Sequence, residues 1–266
     1  MKRNVYWEKL KKLEQEKKYD VDINAGEYKY SKEVKSNQKY IYNSFWNNVY
    51  YYFLRVFIFI LGPILNFIVY DLRIRGKKNL RNVKKGIVIS NHVTFLESLI
   101  INQVVLRRIY LAGGAHNNKK GLGGYTLKIL GFLPISNIYS NQKKLGEAIE
   151  YYLNKGKLIG FDPEQAMWRG YDKIRPFKNG AFYYAIKNDA PIIPMVQLIR
   201  KVNFLDKLIG RKFKVVVKVL PPIYANKSLD EKKQIEDLKE RARQAMIECA
   251  NQFYGTETDV LKINKN

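Results

Sequence analysis

The sequence has few of the residues that hold metal-bound or disulfide-bonded folds together. Its 266 residues include one cysteine, Cys249, and two histidines, His92 and His116. A single cysteine excludes an internal disulfide framework and suits a reducing compartment. One cysteine and two histidines are also too few for the usual structural zinc sites, so we expect no metal centre.

Motifs for binding nucleotides are also lacking. The glycine-rich residues 112–124 have neither a Gly-Lys-Ser/Thr ending nor a GxGxxG pattern, which argues against a phosphate-binding loop. His116 lies among Asn and Lys in this stretch, which is typical of a surface loop. Residues 1–44 are lysine-rich and contain no apolar run long enough for a signal-peptide core. We expect them to form a basic, partly ordered leader.

Acidic residues are scarce relative to basic ones. The chain has 24 Asp and Glu against 48 Lys and Arg, which gives a net charge of +24. Such an excess implies an anionic partner, either nucleic acid or an anionic lipid surface. Aromatic residues, at 14% of the chain, suit base stacking or a membrane interface equally. Because no nucleic-acid recognition motif is present, we expect lipid and no nucleic acid.

One apolar run stands out, at residues 45–70. It approaches the length of a bilayer span, about 20 residues, but it contains Arg55 and is interrupted at Gly62-Pro63. This pattern predicts a membrane-associating helical hairpin, with one helix ending at Leu61 and a second beginning at Ile64. A single membrane span and a buried core helix remain alternatives.

A dense basic run, residues 73–85, follows the apolar run directly. Basic residues beside an apolar segment bind anionic lipid at the cytoplasmic face of a membrane. We therefore expect a monotopic or peripheral protein on that face of the cell membrane. An ordinary solvated loop is the alternative for this run.

The chain is organised around residues 86–106, a buried strand, a turn and a helix. His92 lies in the turn, where open α/β folds place their ligands. If Glu97 begins the helix, its carboxylate can fix one nitrogen of His92 and leave the other as a general base. The alternative is structural, because Thr94 and Glu97 also fit a capping box.

Short β-branched runs alternate with helical periodicity along the remaining chain. This alternation predicts an α/β fold with a largely parallel mixed sheet flanked by helices. Strands are predicted at residues 86–90, 107–111, 132–135, 157–161, 190–199 and 214–220, and a long helix at 228–254.

Four blocks in order resemble the glycerolipid acyltransferases, the lysophosphatidic acid acyltransferase group. NHVTFLE is similar to the family's Asn-His, four residues, Asp block, and LGFLPI to its second block. DPEQAM is similar to the FPEGTR block and APIIPM to the proline-bearing fourth block. Several blocks in the right order are more specific than any single motif. The blocks span roughly residues 74–224. We therefore expect a membrane-associating segment at residues 45–72, an acyltransferase domain at 73–256 and a tail at 257–266.

The resemblance implies transfer of a fatty acyl group from a thioester to the hydroxyl of a lysophospholipid or related glycerolipid. The thioester is acyl-CoA or acyl carrier protein, a co-substrate, and no cofactor is implied. His92 is implied as the base and Glu97 as the residue that orients it, with direct attack by the hydroxyl. Acceptor binding is assigned to the following residues: Asn91, Pro163, Glu164, Gln165, Trp168 and Lys178.

The chain departs from the family at three places. Glu97 stands where Asp is usual, which keeps the carboxylate. Met167 and Asn137 stand where the family has arginines assigned to the acceptor's phosphate. We therefore expect an acceptor with no phosphate at that place, such as a glycolipid or another lysolipid, against which Trp168 and Tyr171 pack. Alternatively, nearby cations replace the lost charge: Arg169, Arg175 and Lys178.

Other classes of protein fit part of these observations. A non-catalytic membrane-anchored binding or scaffold protein explains the charge and the apolar run without chemistry. A thioesterase uses a His-carboxylate pair to activate water in place of the acceptor hydroxyl.

Overall fold

The computed structural model describes residues 3–23, 34 and 38–255. In this part of the chain, seven strands form one sheet in the order β1-β7-β6-β2-β5-β3-β4. All neighbouring strands are parallel except β6 and β7, which are antiparallel. The strands are β1 (Arg73–Arg75), β2 (Gly86–Ser90), β3 (Ile109–Gly113), β4 (Phe132–Pro134), β5 (Leu158–Phe161), β6 (Ile192–Arg200) and β7 (Lys214–Val219). The predicted fold class, a largely parallel mixed sheet flanked by helices, is confirmed.

Helices cover both faces of the sheet. They are α1 (Arg3–Gln15), α2 (Phe45–Tyr70), α3 (Glu97–Val105), α4 (Gly121–Ile129), α5 (Tyr139–Asn154), α6 (Gly180–Lys187), α7 (Phe204–Leu208) and α8 (Glu231–Tyr254). Side chains alternate along β2, so Ile87 and Ile89 pack with α5, α6 and α8. Val88 points to the other face and packs with α1 and α3. The central strand is therefore buried on both faces, as its continuous apolar sequence predicts.

Helix α2 is continuous, so the predicted hairpin with a break at Gly62-Pro63 is wrong. The buried residues of α2 recur at helical spacing along its length, on the side that faces the domain: Asn47, Tyr51, Gly62, Asn66 and Tyr70. Pro63 removes one backbone donor, but contacts on both sides of it hold the helix against the domain. Asn66 donates to Gln103 of α3 at 2.7 Å, and the Tyr50 and Thr126 hydroxyls lie 2.9 Å apart.

The leader is not simply solvated. Helix α1 buries Leu10 and Leu13, and the Tyr6 hydroxyl donates to the carbonyl of Arg169 at 3.0 Å. The described part of the leader therefore packs on the domain. The expectation for residues 24–33 and 35–37, and the predicted tail at 257–266, lie outside the described residues.

Candidate active site at the carboxyl end of the central strand

His92 follows β2 at the carboxyl edge of the sheet. Strand β2 pairs with β5 and β6, both parallel to it, so their carboxyl ends meet at this edge. Residues 91–96 form the connection, and α3 begins at Glu97. This local arrangement turns Glu97 toward His92, as one of the two alternatives from the sequence predicts.

The ring of His92 is held by two carboxylates. Nδ1 is hydrogen-bonded to Oε2 of Glu97, and it lies 3.5 Å from Oδ2 of Asp162. The His92 side chain is 23% exposed and that of Glu97 is 7% exposed. Because both carboxylates contact Nδ1, the other ring nitrogen, Nε2, is the one that can meet a substrate.

The capping-box alternative is wrong. Leu96, and not Thr94, is the cap residue of α3, and no side chain caps the helix there. The hydroxyl of Thr94 instead donates to Oε1 of Gln197 at 2.6 Å. Glu97 therefore belongs to the His92 cluster.

Asp162 is the third member of this cluster and was not among the predicted site residues. Burial raises its pKa well above the usual value, and the neighbouring charge of Glu97 adds to that rise. Burial lowers the pKa of His92, but the charges of Asp162 and Glu97 outweigh it and raise the pKa to about 9. The pKa values of His92 and Asp162 therefore depend on each other, because each charge acts on the other group. The sequence signal for Asp162 is its position directly after β5.

A cation at this place would use the same three side chains, whose ligand atoms lie within 4.8 Å of one another. In this structure His92 and Glu97 are in direct hydrogen-bond contact. The arrangement is suited to holding and moving a proton.

Gln197 of β6 is a second residue that sequence reasoning missed. It is 2% exposed, and its Nε2 donates to Oε1 of Glu97 at 2.5 Å and to the hydroxyl of Ser90 at 2.9 Å. With the bond from Thr94, its amide joins the strand, the turn and the helix of the site. No local motif marks this residue.

Asn91 was predicted to bind substrate, and the structure places its side chain between β2 and β6. Its side chain accepts from the Gln197 backbone N–H at 2.7 Å and donates to the Gln197 carbonyl at 2.9 Å. It is 1% exposed. Asn91 therefore extends the pairing of β2 with β6, and its contact with an acceptor stays a prediction.

Glu164 is likewise placed inside the protein. Its side chain and that of Arg175 are fully buried, with 2.7 Å between Oε2 and Nη2. Glu164 also accepts from the backbone N–H groups of His92 at 3.2 Å and Arg175 at 2.8 Å. Both oxygens are bonded within the protein, and contact of Glu164 with the acceptor stays a prediction. Arg175 is also unavailable as a replacement phosphate ligand.

Trp168 is another buried residue of this loop. Its side chain is 0% exposed, and its indole N–H donates to the carbonyl of Val21 at 3.0 Å. Packing against a lipid headgroup needs an exposed ring face, which neither Trp168 nor Tyr171 offers in this structure. Met167, where the family has arginine, is also buried.

Three predicted residues remain near the loop surface or support it. Gln165 is exposed and has φ +62°, and the Lys178 side chain is 55% exposed. Pro163 is buried, and its carbonyl accepts from the Lys178 backbone N–H at 2.9 Å. Contact of these residues with an acceptor stays a prediction.

Comparison with known proteins places this domain among the acyltransferases by similarity. Residues 71–197 match the family model described as Acyltransferase. The 1-acyl-sn-glycerol-3-phosphate acyltransferase of Saccharomyces cerevisiae is 29% identical over 199 residues, covering 69% of this chain and 61% of that protein. The chain thus spans about three fifths of the length of this relative.

A solved structure has the same fold. It is the crystal structure of the 1-acyl-sn-glycerophosphate acyltransferase PlsC from Thermotoga maritima, with a TM-score of 0.53 and 16% sequence identity. The match covers 80% of this chain and 97% of that one. The predicted resemblance to glycerolipid acyltransferases is confirmed.

Proposed function

We propose that the protein transfers a fatty acyl group from a thioester to the hydroxyl of a lysophospholipid or related glycerolipid. The observation that carries this proposal is His92, held by Glu97 at the carboxyl edge of the sheet within an acyltransferase-family domain. The relative from yeast, by its name, acts on 1-acyl-sn-glycerol-3-phosphate. The acyl donor is acyl-CoA or acyl carrier protein.

In the proposed reaction, Nε2 of His92 takes the proton of the acceptor hydroxyl as its oxygen attacks the thioester carbonyl carbon. A tetrahedral oxyanion forms and then collapses, which breaks the carbon–sulfur bond. The departing thiolate takes the proton back from His92. Glu97 holds the ring and stabilises its charged form during the reaction. Because the hydroxyl attacks directly, no acyl-enzyme forms.

We further propose that the protein lies on one leaflet, at the cytoplasmic face of the membrane. Helix α2 is long and apolar enough to cross a bilayer. However, polar residues at both its ends, Asn47 and Asn66, face the domain. These contacts with the domain favour a helix that lies in the interface over one that crosses the bilayer. Its outer residues, such as Phe53 and Phe67, are exposed and suit the interface.

The acceptor is proposed to enter from this side. Phe95, three residues after His92, is 69% exposed, and its N–H bonds to the hydroxyl of Tyr70 at the end of α2. The site and the apolar surface therefore adjoin. Met167 and Asn137 stand where the family has the arginines assigned to the acceptor's phosphate. We therefore propose that the protein also uses acceptors that lack this phosphate, in addition to lysophosphatidate.

The test is lipid mass spectrometry on the full chain in detergent. Acyl-CoA and acyl carrier protein thioesters are offered with a panel of lysolipids and glycolipids. A new acylated lipid that falls by about 10²–10⁴ in rate in His92→Ala supports the proposal and identifies the acceptor. Glu97→Asp should retain more activity than Glu97→Gln, because it keeps the charge.

Each other outcome contradicts part of the proposal. Free fatty acid as the sole His92-dependent product indicates a thioesterase. No His92-dependent product with any donor and acceptor indicates a binding or scaffold protein. Strict preference for lysophosphatidate contradicts the proposal on the acceptor headgroup.

A further inference from the structure

Helix α7 exposes the side chains that a surface helix normally buries. Phe204, Leu205, Leu208 and Ile209, at and just after α7, are 73%, 68%, 67% and 64% exposed. Asp206 in the same helix is 4% exposed. A surface helix in water has the opposite arrangement, with its apolar stripe toward the core. Helix α7 is therefore built for an apolar environment outside the protein.

The buried side of α7 fixes this orientation. Asp206 accepts from the backbone N–H of Asn203 at 2.8 Å and lies 2.6 Å from Nζ of Lys214. It is also paired with Arg211. Rotating the helix to bury its apolar side chains would break these bonds and expose a set of matched charges. The apolar residues consequently remain on the outside.

Arg211, which follows α7, connects this helix to the end of α2 by hydrogen bonds. The guanidinium of Arg211 donates to the carbonyls of Phe67 at 2.9 Å and Ile68 at 2.8 Å. These carbonyls end α2, where a cation is favoured. The neighbouring side chains of Phe67, Ile68 and Ile64 are 63%, 53% and 51% exposed. The apolar surface of α2 thus continues onto α7.

Basic residues surround the exposed apolar group. Lys201, Lys207 and Lys212 are exposed around α7, while the acidic residue within it, Asp206, is buried. Anionic headgroups complement this charge, and each basic residue near such a surface strengthens binding. A second copy of the chain would bring like charges together, and four side chains fall short of the area of a stable dimer, about 800 Å² per partner.

We propose that α7 is a second membrane-inserting element, which seats Phe204, Leu205, Leu208 and Ile209 in an anionic bilayer beside α2. This inference rests on the proposed membrane association. With α7 inserted beside the end of α2, the domain has a defined orientation on the leaflet, and the edge that carries His92 is held in a fixed relation to the lipid.

The first experiment measures insertion at single positions. In the Cys249→Ser background, three single variants are made: Leu205→Cys in α7, Phe57→Cys in α2 and Tyr224→Cys at an exposed position elsewhere. The new cysteine of each variant is labelled with bimane. The vesicles contain phosphatidylcholine with phosphatidylglycerol, with and without spin-labelled lipid. We expect blue-shifted emission and quenching at positions 205 and 57. Position 224 should show neither, since its neighbour Arg241 belongs to α8, on the opposite face of the sheet.

Comparison of quenching at the three labelled positions distinguishes failure of the inference about α7 from failure of membrane association. Quenching at position 57 without quenching at 205 overturns the inference about α7 and leaves membrane association standing. No quenching at either position contradicts membrane association itself.

The second experiment measures vesicle flotation. The double variant Leu205→Ser, Leu208→Ser should bind at least about tenfold more weakly than the wild type, whereas Tyr224→Ser should bind normally. Lys201→Glu should weaken binding about fivefold with phosphatidylglycerol present and have no effect on pure phosphatidylcholine. Unchanged flotation of the double variant, with loss of a dimer seen by light scattering, would overturn the proposal in favour of a second copy.

Discussion

The side-chain amide of Gln197 donates a 2.5 Å hydrogen bond to Oε1 of Glu97, whose other carboxylate oxygen contacts Nδ1 of His92. A residue of β6 therefore sets the direction of the carboxylate that orients the proposed base. The same amide accepts from Thr94, so one buried side chain fixes the turn and the start of α3 together.

Replacing Gln197 with Met should affect both stability and turnover. The change leaves the buried groups of Thr94 and Glu97 without this partner, which costs about 1–3 kcal/mol of unfolding free energy. The freed carboxylate orients His92 less well, so we expect kcat to fall at least about tenfold, which corresponds to about 1.4 kcal/mol. Urea unfolding and acyl-transfer kinetics measure the two effects. Gln142→Met, at an exposed position of α5, is the control. An unchanged kcat would restrict Gln197 to a structural role.

The activity should rise with pH from neutrality through about pH 9, because the pKa of His92 is raised to about 9 and its neutral form is the base. The Asp162 carboxylate contributes to that rise. Asp162→Asn removes this contribution and should move the acid side of the kcat profile to lower pH. The exposed control Asp189→Asn should leave the profile in place. An unmoved profile in Asp162→Asn would show that Asp162 is not coupled to the base.

The pair of Glu164 and Arg175 should contribute to stability and not to acceptor affinity. Glu164→Gln leaves a buried guanidinium without its countercharge, which costs about 3–5 kcal/mol. Adding Arg175→Met to it should restore part of that loss, since no unpaired charge then remains. A double-mutant cycle of unfolding free energies measures the coupling. A raised KM for the acceptor with unchanged stability would instead return Glu164 to the acceptor site.

Gln165→Gly should stabilise the protein by about 1 kcal/mol. Gln165 has φ +62°, a conformation that costs a side-chain-bearing residue about 1–2 kcal/mol and that glycine adopts freely. The same substitution at Gln142, within helix α5, should destabilise by about 0.5–1 kcal/mol. Thermal unfolding of the two variants gives the comparison, and destabilisation by Gln165→Gly would refute the argument from strain.

The secondary-structure elements that depend on local periodicity could be predicted from the sequence. The strand at residues 86–90, the turn at His92 and the helix with Glu97 near its start all follow from neighbouring residues. Gln197 is separated from Glu97 by 100 positions, and its strand has the same apolar pattern as any buried strand. Its role therefore becomes visible only when β6 and β2 pair.

The sequence also did not show which charged residues are buried. Glu164 and Arg175 are 11 positions apart, and charged residues are usually exposed, so no pattern distinguished a buried pair from a surface one. Helix α7 is only five residues long, too short for periodicity to reveal that its apolar side faces outward. The break in α2 was predicted from Pro63, but packing against the domain prevailed over this local preference.

The bond between the Trp168 indole and the Val21 carbonyl joins residues 147 positions apart and has a consequence for biosynthesis. At about 5–20 residues per second, the ribosome needs on the order of ten seconds to make the intervening chain. Helix α2 lies within that interval and emerges before Trp168 is made. We therefore expect the leader to dock late, after the apolar helix has left the ribosome, so that the loop carrying Glu164 gains its outer support in one of the final folding steps.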